Sequence, residues 1–244
     1  MLFRSSGGNG ARNYGFLQSN GEYIQWFDSD DLMHPEKLEK KVVASNYGSV
    51  DFVISKTKYF NRPNHQPYEY FYSDNDITFL KYSISNVSWF TPDMFIKRNI
   101  AIDVSFNEFL KAGQEYNYSC KLLLHVKTAK KVDEFLTFRR YHDESIGKKR
   151  QIDKDHYYTT KFQAHWFTYL DISNLYFIQE FNRYSLLECI SYYLRSRNSI
   201  TLPQGFMEEL KKVFKNKVLY FHLAKLSNRL FGRYHFFYKK LKQN

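Results

Sequence analysis

Gly21-Glu22-Tyr23-Ile24-Gln25-Trp26-Phe27-Asp28-Ser29-Asp30-Asp31 is the stretch on which the fold turns. Tyr23, Ile24, Trp26 and Phe27 form a short apolar and aromatic run, the pattern of a buried strand. The run stops at three carboxylates, Asp28, Asp30 and Asp31, with only Ser29 among them. Leu32, Met33 and His34 follow, then Pro35-Glu36-Lys37-Leu38. Proline suits the first turn of a helix, and Glu36 suits its positive end. A strand therefore delivers acids to its carboxyl end and a helix leaves from there. Ligands of open α/β sheets bind at the carboxyl ends of strands. Three acids in four positions repel one another, and a hard divalent cation such as Mg²⁺ or Mn²⁺ neutralises such a cluster while bridging to phosphate. A solvated acidic turn whose first Asp caps the next helix is the competing reading.

Outside this stretch, composition narrows the class. The chain has 244 residues, 43% hydrophobic and 19% aromatic, which excludes general disorder. Its two cysteines, Cys120 and Cys189, are far apart and form no CxxC, which argues against a disulfide framework or a cysteine zinc site and for a reducing compartment. No apolar run reaches the roughly 18 residues of a membrane-spanning helix. The first residues lack the apolar core of a signal peptide. The net charge of +11 is concentrated late: from Arg195 onward twelve Lys or Arg face two acids, Glu208 and Glu209. The basicity thus belongs to an appendage.

Upstream, Gly7-Gly8-Asn9-Gly10-Ala11-Arg12-Asn13 is a glycine-rich entry to a short helix over Ala11–Ser19. Helix N-termini bind anions through free N–H groups, and Arg12 adds positive charge there. Downstream, the spacing of Leu38, Val42 and Val43 predicts a helix over 35–46, with Lys37, Lys40 and Lys41 as its solvated face. Ser49–Ser55 reads as a strand, and 61–75, with Pro63, His65 and Pro67, as an irregular loop. Asn86–Thr91 reads as a short strand, with Pro92 opening a helix. Val132–Tyr141 alternates as a strand.

Taken together, Gly-x-Gly-Ala-Arg-Asn-x-Gly, Gly-Glu-Tyr-Ile, Phe-Asp-Ser-Asp-Asp and His-Pro-Glu-Lys-Leu, running from about Gly8 to Val42, resemble the middle of the family 2 glycosyltransferases of the GT-A fold. The resemblance implies an α/β, Rossmann-like nucleotide-sugar transferase whose Asp-x-Asp holds Mn²⁺ or Mg²⁺ on the donor diphosphate. By it, Asp30 is the direct metal ligand, and Asp28 serves the nucleotide ribose or the metal shell. Asp31 sits beside the donor sugar, and Arg12 and Asn13 lie at the donor. Phe106-Asn107-Glu108 leading to Gly113-Gln114-Glu115 resembles the family segment that ends in the general base of inverting members. Glu115 takes that position, with Glu for the usual Asp. The longer side chain matters, because a base must lie within roughly 2.6–3.2 Å of the proton it takes. Stabilising the first turn of a helix is its structural alternative. Arg139-Arg140-Tyr141-His142 resembles the segment closing the catalytic domain, which makes His142 a candidate for the metal shell.

The resemblance covers the back half of a GT-A domain, roughly residues 7–146, so the expectation is a domain lacking its first strands. The expected division is 1–148 for the partial transferase domain and 149–244 for a helical, basic extension. In that extension Leu219, Leu223, Leu226, Leu230, Tyr234, Phe237 and Leu241 recur at helical steps, with Gly232 as a bend or break. Two readings stand for this helix: a basic amphipathic surface lying on a membrane, or a helix packed on its own domain. No nucleic-acid module accompanies the tail. The function expected is metal-dependent, inverting sugar transfer from a nucleotide sugar to a glycan or lipid-linked acceptor in surface polysaccharide synthesis. The cytoplasm or the inner face of the cell membrane is the expected location. The alternative is a non-catalytic remnant that associates with a membrane or a partner chain.

Overall fold

A computed structural model describes residues 7–61, 72–141 and 153–243. The chain divides into two compact units, one of residues 1–109 with 114–145, the other of 110–113 with 146–244.

The first unit runs α1 (Gly8–Gln18), β1 (Tyr23–Gln25), β2 (Leu32–Met33), α2 (Lys37–Ala44), β3 (Phe52–Tyr59), α3 (Phe79–Ser83), β4 (Met94–Lys97), α4 (Arg98–Ala101), α5 (Gln114–Leu123) and β5 (Ala129–Arg139). The strands form one sheet in the order β1-β4-β3-β5-β2. The β3–β5 pair is parallel, and the β1–β4, β3–β4 and β2–β5 pairs are antiparallel, so the sheet is mixed. A parallel pair needs a long crossover, and the chain between β3 and β5 supplies it with α3, β4, α4 and α5. Phe52, Val53 and Ile54 on the central strand are all fully buried, so both sheet faces are covered. One face holds Val50, Val53 and Phe95 against Val42 of α2. On the other, Phe52 meets Trp89 (5.5 Å between ring centroids), and Trp26, Phe106 and Tyr118 form an aromatic cluster.

Two local features differ from the pattern expected of the sequence. Residues 86–91 form no strand, and Pro92 sits in a 3₁₀ turn, Thr91–Asp93, that leads into β4 rather than into a helix. The Met94–Lys97 segment is drawn into the sheet between β1 and β3, and that pairing overrides the local proline signal. The second difference concerns α2. Lys37 and Lys41 are fully buried, whereas Leu38 and Val43 are about half exposed. The two lysines are four positions apart and share one face. That face turns inward because each ammonium finds acceptors there. Lys37 Nζ donates to Pro92 O (2.7 Å) and Thr137 Oγ1 (2.5 Å). Lys41 Nζ donates to Asp93 O (2.6 Å) and Gln25 Oε1 (3.1 Å). Lys40 alone lies outward, paired with Glu36 and Glu134.

In the second unit the helices are α6 (Lys154–Ser173), α7 (Gln179–Arg195), α8 (Phe206–Phe214), α9 (Val218–Phe231) and α10 (His235–Lys242). Asp153 caps α6, accepting the His156 N–H at 2.9 Å. The helices close on a core that includes Phe162, Trp166, Tyr193, Phe206 and Phe221. Gly232, at φ 64°, ends α9 in the left-handed conformation and separates it from α10. The leucine pattern of 219–241 is therefore two helices. Tyr234, Phe237 and Leu241 pack on the core, whereas Leu219, Leu226 and Leu230 face outward. The interior stripe of α9 is Val218, Phe221, Ala224 and Asn228. Gly113 also requires glycine: its φ is +71°, and a Cβ there would stand 2.5 Å from Ala164 Cβ.

Candidate functional site

The acidic stretch emerges from β1 as a tight turn. Trp26 anchors it, buried edge-on against Phe106 and Tyr118 at 5.2 and 5.9 Å between centroids. The Asp31 N–H donates to Asp28 O at 3.3 Å, which closes the turn, and Leu32 and Met33 then pair with Phe138 and Thr137 of β5. Each sequence-predicted acid thereby receives a distinct environment.

Asp28 is half-buried and takes the Arg12 guanidinium, Nη2 to Oδ1 at 2.6 Å. The same guanidinium lies 5.3 Å from the Phe106 ring centroid. Asp30 is exposed at the tip of the turn, and its backbone O accepts Arg140 Nε–H at 3.2 Å. Asp31 points inward, with a side chain only 3% exposed. The Arg140 N–H donates to its Oδ1 at 3.1 Å, and Arg139 Nε stands 3.8 Å from its Oδ2. Burial raises the Asp31 carboxyl above its ordinary value, and the charges of Asp30 and Asp28 add to this. The Arg140 N–H and the Arg139 charge oppose it.

Behind the turn lies a buried charged layer that sequence reasoning missed. Lys37 and Lys41 face Asp93, whose Oδ1 accepts the Thr57 hydroxyl (2.5 Å) and whose Oδ2 accepts the Phe90 N–H (2.9 Å). Burial lowers the Lys37 amine to about 8, against the raising influence of Asp93 and Asp31. Lys41 is also pushed well down, by burial first and by the charge of Lys37 second. Lys37 Nζ lies 4.9 Å from the Phe27 ring centroid, directly before Asp28. The available signal was an i,i+4 lysine pair beside the acidic stretch, but its acceptors lie far along the chain.

Helix α1 and the 106–108 segment, widely separated in sequence, are clasped together. Asn13 Nδ2 donates to Phe106 O and Glu108 Oε1, both at 2.9 Å, and Asn13 Oδ1 accepts the Phe106 N–H at 2.8 Å. Asn9 Nδ2 adds a bond to Asn107 O at 2.8 Å. Asn13 thus joins two of the predicted segments. A cleft of about 620 Å³ opens between α1 and β1, with Arg12, Phe16, Tyr23, Trp26, Asp28 and Ser29 among its lining. That volume is in the range of small-ligand sites.

Glu115 stands half-buried in the first turn of α5. The same helix carries Tyr118 against Trp26, which ties α5 to the acidic turn. His142 lies outside the described residues. Among the described residues, no group of three or more His, Cys, Asp or Glu is arranged to hold a metal ion. The donor chemistry still fits a hard cation at two positions. Asp30 presents an exposed carboxylate, and half-buried Asp28, whose Oδ1 takes Arg12, would share its carboxylate between Arg12 and the cation. Asp31 fits poorly as a ligand, because its side chain is buried and its Oδ1 is committed to a backbone N–H.

Residues 3–111 match the family model for glycosyl transferase family 2. An uncharacterized glycosyltransferase of Methanocaldococcus jannaschii is 24% identical over 171 residues, 67% of this chain and 57% of that protein. The chain thus spans rather more than half the length of this curated relative. Among solved structures, S. aureus TarS 1-349 in complex with UDP-GlcNAc superposes with a TM-score of 0.62 at 14% identity, over 94% of this chain and 71% of that one. A longer S. aureus TarS structure gives 0.57 at 14% identity, over 100% of this chain and 38% of that one. At such identities the likeness establishes the fold: a GT-A-type α/β sheet followed by a helical region.

Proposed function

We propose, from the premise that the chain belongs through residues 3–111 to glycosyl transferase family 2, that it transfers a sugar from a nucleoside-diphosphate sugar to an acceptor hydroxyl. The observation that carries this reading is the Arg12–Asp28 pair, 2.6 Å apart at the wall of the cleft beside the exposed Asp30. Anion-seeking and cation-seeking groups stand side by side there, as a metal–diphosphate donor requires. The TarS structure bound to UDP-GlcNAc makes a UDP-sugar the first donor to test.

Asp28 and Asp30 would hold Mn²⁺ or Mg²⁺, with His142 as a further ligand. When bound, the cation would neutralise charge on the departing nucleoside diphosphate. Arg12 supplies a fixed positive charge for diphosphate oxygens. Asn13 keeps Arg12 in place by locking α1 to Phe106. Asp31, held by the Arg140 N–H, would sit beside the donor sugar. Glu115 takes the proton of the acceptor hydroxyl while that oxygen bonds to the anomeric carbon. The bond from that carbon to the diphosphate breaks on the opposite side, so configuration inverts. The acceptor is a glycan or a lipid-linked sugar in surface polysaccharide synthesis, and the enzyme works in the cytoplasm at the inner face of the membrane. We take 1–148 as the transferase portion and 149–244 as the extension, a division that the two compact units support.

A second reading, non-catalytic association with a membrane or a partner chain, draws on the outward leucines of α9. The two are separated by assaying turnover of UDP-GlcNAc and other nucleotide sugars with Mn²⁺. Transfer or slow donor hydrolysis, lost in Asp30→Ala and in Glu115→Gln with the fold intact, supports the transferase. A folded chain that turns over none of them, or an Asp30→Ala variant as active as the parent, overturns it.

A further inference from the structure

We infer that the outward face of α9 and α10 is a docking surface for an anionic lipid bilayer. At about 100° per residue, Leu219, Leu226 and Leu230 fall within about 40° of one another around the α9 axis. They lie opposite the interior stripe of Val218, Phe221, Ala224 and Asn228. The three leucines are 60%, 53% and 61% exposed, and Phe231 and Phe236 beyond them are 71% and 67% exposed. Single exposed leucines are ordinary, but three on one narrow face of a helix, with two exposed phenylalanines at the turn into the next helix, are not.

Charge identifies the occupant. From residue 210 to the end of the chain there is no Asp or Glu, while ten Lys or Arg are present. On α9, Arg229 flanks the ridge on one side, while the Lys225 ammonium lies 5.8 Å from the Tyr193 ring centroid. On α10, Phe236 lies between Lys239 and Lys240 around the helix. Lysine is depleted from protein–protein interface cores, whereas apolar side chains bordered by lysines and arginines fit the boundary between lipid headgroups and acyl chains. An aliphatic ridge has no counterpart in a nucleic-acid backbone. The second unit also offers a place for a headgroup phosphate. A cleft of about 360 Å³ between α7 and α10 is lined by Ser191, Arg195, Tyr234, His235, Lys239 and Lys242, and no acid lines it. Glu188 is the acid whose charge reaches Arg195. Lys239 belongs to both features: it lines the cleft and stands one turn from Phe236.

Leu219, Leu226 and Leu230 therefore enter the acyl boundary, Phe231 and Phe236 add apolar contact at the turn between the two helices, and Arg195, Lys239 and Lys242 take lipid phosphate. This surface does not depend on the transferase reading, and its test uses no donor. The full chain is sedimented with vesicles of phosphatidylglycerol mixed with phosphatidylcholine, and with vesicles of phosphatidylcholine alone. The expected result is binding to the anionic vesicles that weakens with added salt, with little binding to neutral ones. Leu226→Ser with Leu230→Ser should weaken it about tenfold or more, as should Lys239→Glu with Lys242→Glu. The control pair Leu175→Ser and Phe177→Ser, exposed in the same unit away from the ridge, should bind like the parent. Equal binding by the ridge variant and the parent would overturn the inference. So would self-association in ultracentrifugation that is lost in the ridge variant while vesicles bind neither protein. Circular dichroism verifies that each variant is folded.

Discussion

Asp93→Asn removes one charge from a layer where almost nothing else can replace it. Asp93 is fully buried and faces two fully buried lysines, Lys37 and Lys41. Asparagine keeps the volume and can still accept from Thr57, but it leaves the two ammonium groups without their nearest carboxylate and sets an amide N–H₂ against the Phe90 N–H. Removing one member of a buried ion network costs about 3–5 kcal/mol, because the remaining charge is left uncompensated. The loss should depend on pH, and its sign follows from Lys37. That amine is lowered by burial from 10.5 to about 8. The unfolded chain therefore holds this proton more tightly than the folded one, and stability rises as pH goes from about 8 towards 10.5. A neutral Lys37 no longer needs Asp93, so the penalty of Asp93→Asn should shrink over the same range. Urea unfolding at pH 7 and pH 9 measures both effects. In a Trp166→Phe background the fluorescence comes from Trp26 and Trp89, both in the first unit. A loss below about 1 kcal/mol at neutral pH, the level of an exposed ion pair, would refute the buried-charge reasoning. A loss that is the same at both pH values would refute it equally.

Other perturbations separate local effects. Gly113→Ala should destabilise by about 2–4 kcal/mol, from left-handed strain plus a clash with Ala164. Adding Ala164→Gly should recover the clash but not the strain, and chemical denaturation measures both. Arg12→Ala removes a partly exposed pair, so stability should change by less than about 1 kcal/mol while the dissociation constant for a nucleoside diphosphate rises. A large drop in stability with unchanged affinity would mean that Arg12 serves only the fold. Asp31 is a carboxyl raised by burial, so its contribution to stability is present below the ordinary value of 3.8 and is lost as pH rises through the raised one. Asp31→Asn should therefore flatten the acid limb of the stability profile and leave the variant at least as stable as the parent at neutral pH.

Short-range patterns made much of this molecule readable. The glycine-rich entry to α1, the aromatic run of β1 ending in acids, and the alternation of β5 are all local signals; β1 and β5 stand close to where their patterns placed them, whereas α1 begins at Gly8, three residues before the expected Ala11 and inside the glycine-rich run. The acidic turn was legible for the same reason. Its neutralisation was not, because Arg12 reaches Asp28 across 16 positions and Arg140 reaches Asp31 across 109. The α2 lysines show the limit most clearly. Periodicity places Lys37 and Lys41 on one face, but which face turns inward depends on Pro92 O and Thr137 Oγ1, groups 55 and 100 positions away. Strand β4 was hidden by Pro92, whose local preference gives way to pairing on both sides of the strand. In α9 the leucine spacing was read correctly as one face of a helix. The smaller interior stripe of Val218, Ala224 and Asn228 with Phe221 fits under the neighbouring helices, and the leucines are left outside.

Isothermal titration of UDP into the purified chain, with and without Mn²⁺, examines the acidic turn as a donor site. Binding is expected only when the metal is present, and it should be lost in Asp30→Ala while circular dichroism stays unchanged. UDP binding of equal strength without Mn²⁺, or an Asp30→Ala variant that binds UDP and Mn²⁺ like the parent, would contradict the assignment of Asp28 and Asp30 to the metal and the diphosphate.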